Sequence, residues 1–154
     1  MSTKFSQLDE SLARLVKKIE NTKKDYTLLA TKYAEGIFKQ RVFNVGGSKD
    51  INGAIVHSGY SPAYKKKMNK RANNWDLHAT GDLRDSIKVV TKSPKKKTVL
   101  EFVDDDQIKK ADGLEDKSGK VIFEMSKKET DETLKYITKV MLQDIRKIVQ
   151  ESFK

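Results

Sequence analysis

Apolar side chains recur at steps of three or four along the first third of the chain. The stripe is interrupted at the polar residue Thr22 and consists of Phe5, Leu8, Leu12, Leu15, Ile19, Tyr26, Leu29, Tyr33 and Ile37. This period predicts an amphipathic α-helix, and residues 1–43 are assigned to one long helix of roughly 50 Å. We expect part of it to pack on a neighbouring subunit, because one small domain cannot bury so long a stripe. A free-standing coiled coil is the alternative, which Thr22 disfavours.

A second stripe of the same period lies at the C-terminal end of the chain. It consists of Leu134, Ile137, Met141, Ile145 and Ile148, widened by Val140, Leu142 and Val149. Ser126 stands three residues before Glu129, which is the spacing of a capping box at the start of a helix. The pattern therefore predicts a C-terminal helix in residues 126–154, running from about Lys127 to Ser152.

The helical period is lost between these two stripes. Residues 44–79 contain several glycine turns and are predicted to form a long basic assembly loop. Residues 80–125 are predicted to contain the sheet, together with a short helix at 107–111 that ends at the turn Asp112–Gly113. The four β-prone segments lie near residues 54–57, 86–92, 97–103 and 120–124. The fold class predicted is α+β, with a long N-terminal helix and a C-terminal helix packed on a small antiparallel β-sheet.

Length and charge limit the range of functions. The chain has 154 residues, the length of one domain, and its 32 basic and 22 acidic residues give a formal net charge of +10. A basic protein can bind DNA through its phosphates, so a small basic DNA-binding protein is the alternative function. Most of the lysines alternate with acids, and runs such as Lys65–Lys67 are typical of solvated loops.

The residues required for most enzyme chemistry are missing from the sequence. There is no cysteine, and the two histidines, His57 and His78, lack the spacing of metal ligands. The acids at 104–106 and 112–116 fall out of register for a calcium loop. We therefore expect no enzymatic activity, no cofactor and no metal. No secretory signal or membrane-spanning stretch is recognised, so we expect a protein that is soluble in the cytosol when made.

Two groups of residues are candidates for a structural role. One group lies in or beside the basic loop and is assigned as a candidate interface: Tyr60, Pro62, Tyr64, Lys65, Lys66, Lys67 and Trp75. Trp75 is interpreted as an anchor of an interface or of the core, with stacking on a base as the alternative. The other group is a predicted fold-defining corner: Leu77, Thr80, Gly81, Leu83, Ser86 and Ile87. There Thr80 can cap a turn, and Gly81 permits a backbone conformation that other residues avoid.

The order of these segments resembles that of the tail-completion proteins of tailed bacteriophages, the small virion-morphogenesis proteins that join head and tail. The resemblance is carried by Leu77, Thr80–Gly81, Leu83 and Ser86–Ile87, by the Tyr60–Tyr64 segment, and by the strand-to-helix segment 121–129. The chain has Lys-Val-Ile-Phe at 120–123 where the family usually has Arg-Pro-Phe before the last helix.

The resemblance implies a structural, non-enzymatic virion protein of the head–tail neck. It implies a homo-oligomeric ring, commonly sixfold in tail-completion proteins and twelvefold at the portal side, with portal or connector proteins and tail proteins as neighbours. It also implies a lumen for DNA, with non-specific DNA contact there, and assembly in the host cytoplasm without a membrane. Contacts in such a ring are heterologous, and the first helix and the 44–79 loop are expected to make them.

Overall fold

The computed structural model describes residues 12–18, 21–22, 25–44, 47–56, 62–67, 77, 81–92 and 97–152. Residues 12–18 are helical (α1). The further helices are α2 (Tyr26–Val42), α3 (Pro62–Lys67), α4 (Asp82–Asp85), α5 (Asp105–Ser118) and α6 (Lys127–Ser152). The strands are β1 (Ile87–Lys92) and β2 (Lys97–Phe102). The α+β class is thus confirmed. The predicted interface residues Tyr60 and Trp75, the corner residue Thr80 and both histidines lie outside the described residues.

The first predicted helix is divided into α1 and α2, so the prediction of one uninterrupted helix is wrong. Thr22 is not helical, and its hydroxyl donates to the carbonyl of Lys18. Asp25 then adopts an extended backbone, and its carboxylate accepts the N–H of Leu28 at 2.9 Å. Aspartate stabilises a helix more at the N-cap than inside it, which explains why a new helix begins after Asp25.

The capping box predicted for the last helix is confirmed. The N–H of Glu129 donates to the Ser126 hydroxyl at 3.2 Å, and the N–H of Ser126 donates to the Glu129 carboxylate at 2.8 Å. Each residue thereby satisfies one of the backbone N–H groups that a helix start leaves unpaired. The helix α6 extends from this cap for 26 residues.

The sheet is smaller than predicted. Strands β1 and β2 pair antiparallel from Ile87 opposite Phe102 to Lys92 opposite Lys97. In the described part of 54–57, Ile55 makes a single bridge to Lys49. Residues 120–124 form no strand, because the N–H groups of Ile122 and Phe123 donate to the carboxylate of Glu115 at 2.6 and 2.8 Å instead. The prediction of a sheet from four segments is therefore wrong.

The helix predicted at 107–111 is longer than expected. The helix α5 begins after the N-cap Asp104, whose carboxylate accepts the N–H of Asp106 at 2.9 Å, and runs through the predicted turn Asp112–Gly113. It ends at Gly119, which has a left-handed backbone (φ +63°). Buried contacts of Gln107 and Ala111 hold this helix against the protein and outweigh the local turn signal. The short helix α4 directly precedes β1.

The buried apolar core collects around the C-terminal end of α2. It consists of Phe38, Val42, Phe43, Val56, Leu77, Leu83, Ile87, Ala111 and Ile122. The helix α2 packs against both strands and against α6, while α5 packs on β2 and α4. The helices α5 and α6 therefore pack against different elements of the fold. Among the residues that the structure describes, no helix is both long and apolar enough to cross a bilayer.

Candidate assembly surface

The predicted corner brings its described residues together beside β1. Leu77, Leu83 and Ile87 belong to the core, and Ile87 is 2% exposed. Gly81 has φ +88°, a left-handed conformation that glycine adopts without strain. The buried hydroxyl of Ser86 donates to the carbonyl of Leu83 at 2.7 Å and so closes the turn. These residues are occupied in holding the turn between α4 and β1, so their contacts in the described structure are structural.

The predicted interface residues are found in a helix where a loop was expected. The helix α3 contains Tyr64 and Lys65, together with Pro62, Lys66 and Lys67. The side chains of these last three residues are exposed. The prediction of a continuous loop over 44–79 is therefore wrong at this helix. Residues 47–56 form turns and a single bridge, and Asp50 is buried there, with its carboxylate accepting the N–H groups of Asn52 and Ala54, each at 2.9 Å.

An arginine that the sequence patterns did not single out connects four segments of the chain. The Nε of Arg41, on α2, donates to the carboxylate of Glu129 at 2.7 Å, and both side chains are nearly buried. Its remaining nitrogens donate to the carbonyls of Lys49, Ile122 and Glu124 at 2.8, 3.0 and 2.5 Å. Each nitrogen of the guanidinium is occupied by the protein itself, which indicates a structural hub.

The only sequence signals for this hub were indirect. Arg41 follows Ile37 by four residues, so it continues the apolar stripe with a charged residue, and Glu129 closes the capping box. A charge on a buried stripe needs a partner. The partner is 88 residues away, and no local pattern identifies it.

The acidic residues considered for a metal site perform backbone tasks instead. Asp104 caps α5, and Glu115 accepts the two N–H groups of the 122–123 segment. Within the described part of the chain, no group of three or more His, Asp or Glu side chains is placed to hold a metal ion.

The helices α2 and α6 continue beyond the core as an antiparallel pair, which we call the helical arm (residues 26–37 and 132–152). The rings of Tyr33 and Tyr136 stack with centroids 4.2 Å apart, and the Tyr26 hydroxyl donates to Asp144 at 3.0 Å. Near the end of the arm, Lys18 on α1 donates to the Ser152 hydroxyl at 3.1 Å. The arm is thus held by aromatic and polar contacts between its two helices.

The apolar stripe of α6 is incompletely covered. Of the residues of α6, all of which the structure describes, Glu129 alone is buried. Leu134 is 58% exposed and Leu142 50%, with Met141 also exposed. On α1, Leu12 and Val16 are about half exposed as well. A set of exposed large apolar residues on one elongated element is typical of a surface that binds another protein.

Comparisons of the chain with protein-family models, with curated proteins and with solved structures find no match.

Proposed function

We propose that this protein is a structural subunit of the head–tail neck of a tailed bacteriophage, and that it acts by assembling with copies of itself and with adjacent portal-side and tail-side proteins. The observation that carries the proposal is the helical arm. A helix of 26 residues that buries one glutamate and exposes Leu134, Met141 and Leu142 needs further protein contacts to cover its apolar stripe.

The corner provides a second argument for the proposal. The motif Leu77, Gly81, Leu83, Ser86 and Ile87 carries the resemblance to tail-completion proteins, and its residues converge on one buried turn. A motif that defines a turn specifies the fold around it, and in a ring protein that fold positions the contact surfaces. Under this proposal the two ends of the ring meet different neighbours, and the lumen passes DNA.

Deletion of the gene from the phage that encodes it tests the proposal. We expect filled heads and separate tails that fail to join, and we expect infectious particles to return when the gene is supplied from a plasmid. Mass spectrometry of purified particles should detect the protein in complete virions. Normal infectious particles without the gene, or virions that lack the protein, would contradict the proposal.

DNA binding by the isolated chain distinguishes the alternative function, a small basic DNA-binding protein. Strong retention of duplex DNA that falls steeply between low and high salt would indicate phosphate binding as its main activity. For a neck subunit we expect weak retention that is lost at physiological ionic strength.

A further inference from the structure

The helices α5 and α6 each carry an exposed column of residues in which one sign of charge predominates. The acidic column on α5 consists of Asp105, Asp112 and Asp116, separated by seven and four residues. The basic column on α6 consists of Lys128, Lys135, Lys139 and Arg146, separated by seven, four and seven residues. Helical residues seven or eleven positions apart point within about 20° of the same direction. Each set therefore forms a straight row along its helix.

Each column is only slightly compensated by its own chain, with Lys109 on α5 and Glu132 on α6 about 40° to one side of it. Every member of both columns is exposed, and among the described residues their one ion pair is Lys128 to Glu132 at 4.0 Å. By contrast, Lys39 and Glu35 on α2 form an i,i+4 pair at 2.7 Å. The pairs Asp112–Asp116 and Lys135–Lys139 place like charges four residues apart, which destabilises a helix by itself. Such an arrangement becomes favourable when a surface of opposite charge covers it.

The two columns match each other in spacing when the helices run antiparallel. Lys135, Lys139 and Arg146 are separated by four and then seven residues, the same order as Asp116, Asp112 and Asp105 read backwards. Both rows then have intervals of about 6 Å and about 10.5 Å along the helix axis. This register uses the three cations of the column that have no ion pair among the described residues.

Each column has an apolar residue beside it, and these two residues lie within one position of each other in this register. Leu142 on α6 lies opposite the exposed Lys109 of α5, one position from Ile108, which is 37% exposed. Helical geometry places Leu142 and Ile108 on the same rotational side of their columns. In an antiparallel pair of helices, residues on the same rotational side face each other. Apolar contact and charge pairing therefore coincide in one alignment.

We infer that the acidic column of α5 in one copy docks antiparallel on the basic column of α6 in the next copy, with Ile108 against Leu142. This inference rests on the proposed function, since it names the partner of an assembling subunit. The contact joins two different surfaces, so it is heterologous and can close a ring. A twofold contact of α6 with α6 would instead oppose the basic column to itself.

Charge exchange between the columns tests the contact. One variant carries Lys135→Glu and Lys139→Glu, and a second carries Asp112→Lys and Asp116→Lys. Each variant alone should weaken self-association of the full chain by at least about tenfold in analytical ultracentrifugation, because two attractive pairs become repulsive. An equimolar mixture of the two variants should recover association, and so should a single chain that carries all four changes.

A matched control removes the effect of net charge. Lys127→Glu with Lys147→Glu makes the same charge change on α6 at exposed positions about 100° to either side of the column. This control should associate like the wild type. Association of the wild type should also weaken as sodium chloride rises from about 50 mM to about 500 mM. Circular dichroism should show that every variant keeps the helix content of the wild type.

The outcomes separate the inference from the proposed function. If the column variants associate like the wild type, or if their mixture does not recover association, the α5–α6 contact is wrong while the presence of the protein in virions is unaffected. A wild-type chain that stays monomeric at every concentration also overturns the contact. Loss of DNA retention in the lysine variant, with unchanged association in the aspartate variant, would assign the basic column to DNA and overturn the contact as well.

Discussion

The core around the C-terminal end of α2 and the helical arm are built by different means. In the core, Val42, Val56 and Ile122 are completely buried, and Arg41 ties four segments together. In the arm, no side chain between 132 and 152 is fully buried, and the two helices meet through a tyrosine stack and polar contacts. The core is thus complete within one chain, while the arm has apolar surface left over. This difference separates the region that stabilises the single chain from the region whose apolar residues remain exposed.

The largest effect on stability is expected at the Arg41 hub. Arg41→Ala leaves the carboxylate of Glu129 buried without its cation and three carbonyls without their donors. We expect the free energy of unfolding to fall by about 3–5 kcal/mol, the usual cost of breaking one partner of a buried ion pair. Urea denaturation measured by circular dichroism, at concentrations where the chain is monomeric, provides the test.

A less deeply buried pair on the same helix gives the control for that prediction. Lys39→Ala removes the partner of Glu35 and should cost about 0.5 kcal/mol, because both groups retain contact with water. Equal losses for Arg41→Ala and Lys39→Ala would show that the hub does not hold the core together.

The next largest effect distinguishes apolar residues of the two regions. Ile122→Ala opens a cavity at a position with no exposure and should lower the free energy of unfolding by about 2–5 kcal/mol. Leu134→Ala removes a similar side chain from a position that is 58% exposed, and we expect a change within about 0.5 kcal/mol. Urea denaturation of the two variants measures both changes. A large loss of stability from Leu134→Ala would mean that the arm is part of the core after all.

The parts of the fold that the sequence predicted are those with local signals. The helix α6 was found because its stripe and the Ser126–Glu129 spacing agree, and both features act within a few residues. The strands β1 and β2 were predicted for the same reason, because their segments are β-prone. The exposure of Leu134 and Met141 could not be predicted, since a stripe shows that a face is apolar and does not show what covers it.

The errors arose where a distant contact overrides a local preference. The segment 121–123 is apolar and β-prone, yet its N–H groups bind the Glu115 carboxylate, which α5 brings to it. Gly113 reads as a turn residue, but the helix continues through it because Gln107 and Ala111 are packed on the core. The Arg41 hub was missed because its partners are distant in the sequence. The acidic column could not be predicted, because it runs through Asp112–Gly113, where the sequence predicts a turn.

The smallest effects are expected at the two helix caps, and they compare the regions most directly. Ser126 is buried at the boundary of the core, whereas Asp25 is exposed at the start of α2. Ser126→Ala leaves a buried N–H of Glu129 without its acceptor, so it should cost about 1–2 kcal/mol. Asp25→Ala frees the N–H of Leu28 to bind water, and should cost about 0.5–1 kcal/mol.

Substitution by glycine is the informative control at both caps, because glycine loses the side-chain acceptor but tolerates the cap conformation. At position 25, the free energy of unfolding of the glycine variant should be within a few tenths of a kcal/mol of that of the wild type. At position 126, the free energy of unfolding of the glycine variant should remain well below that of the wild type, because the N–H that glycine leaves unpaired stays buried. Thermal and urea denaturation of the four variants measure both differences. Identical responses at the two positions would mean that water reaches the Ser126 cap, and that the boundary between core and arm lies further along α2 than Phe38.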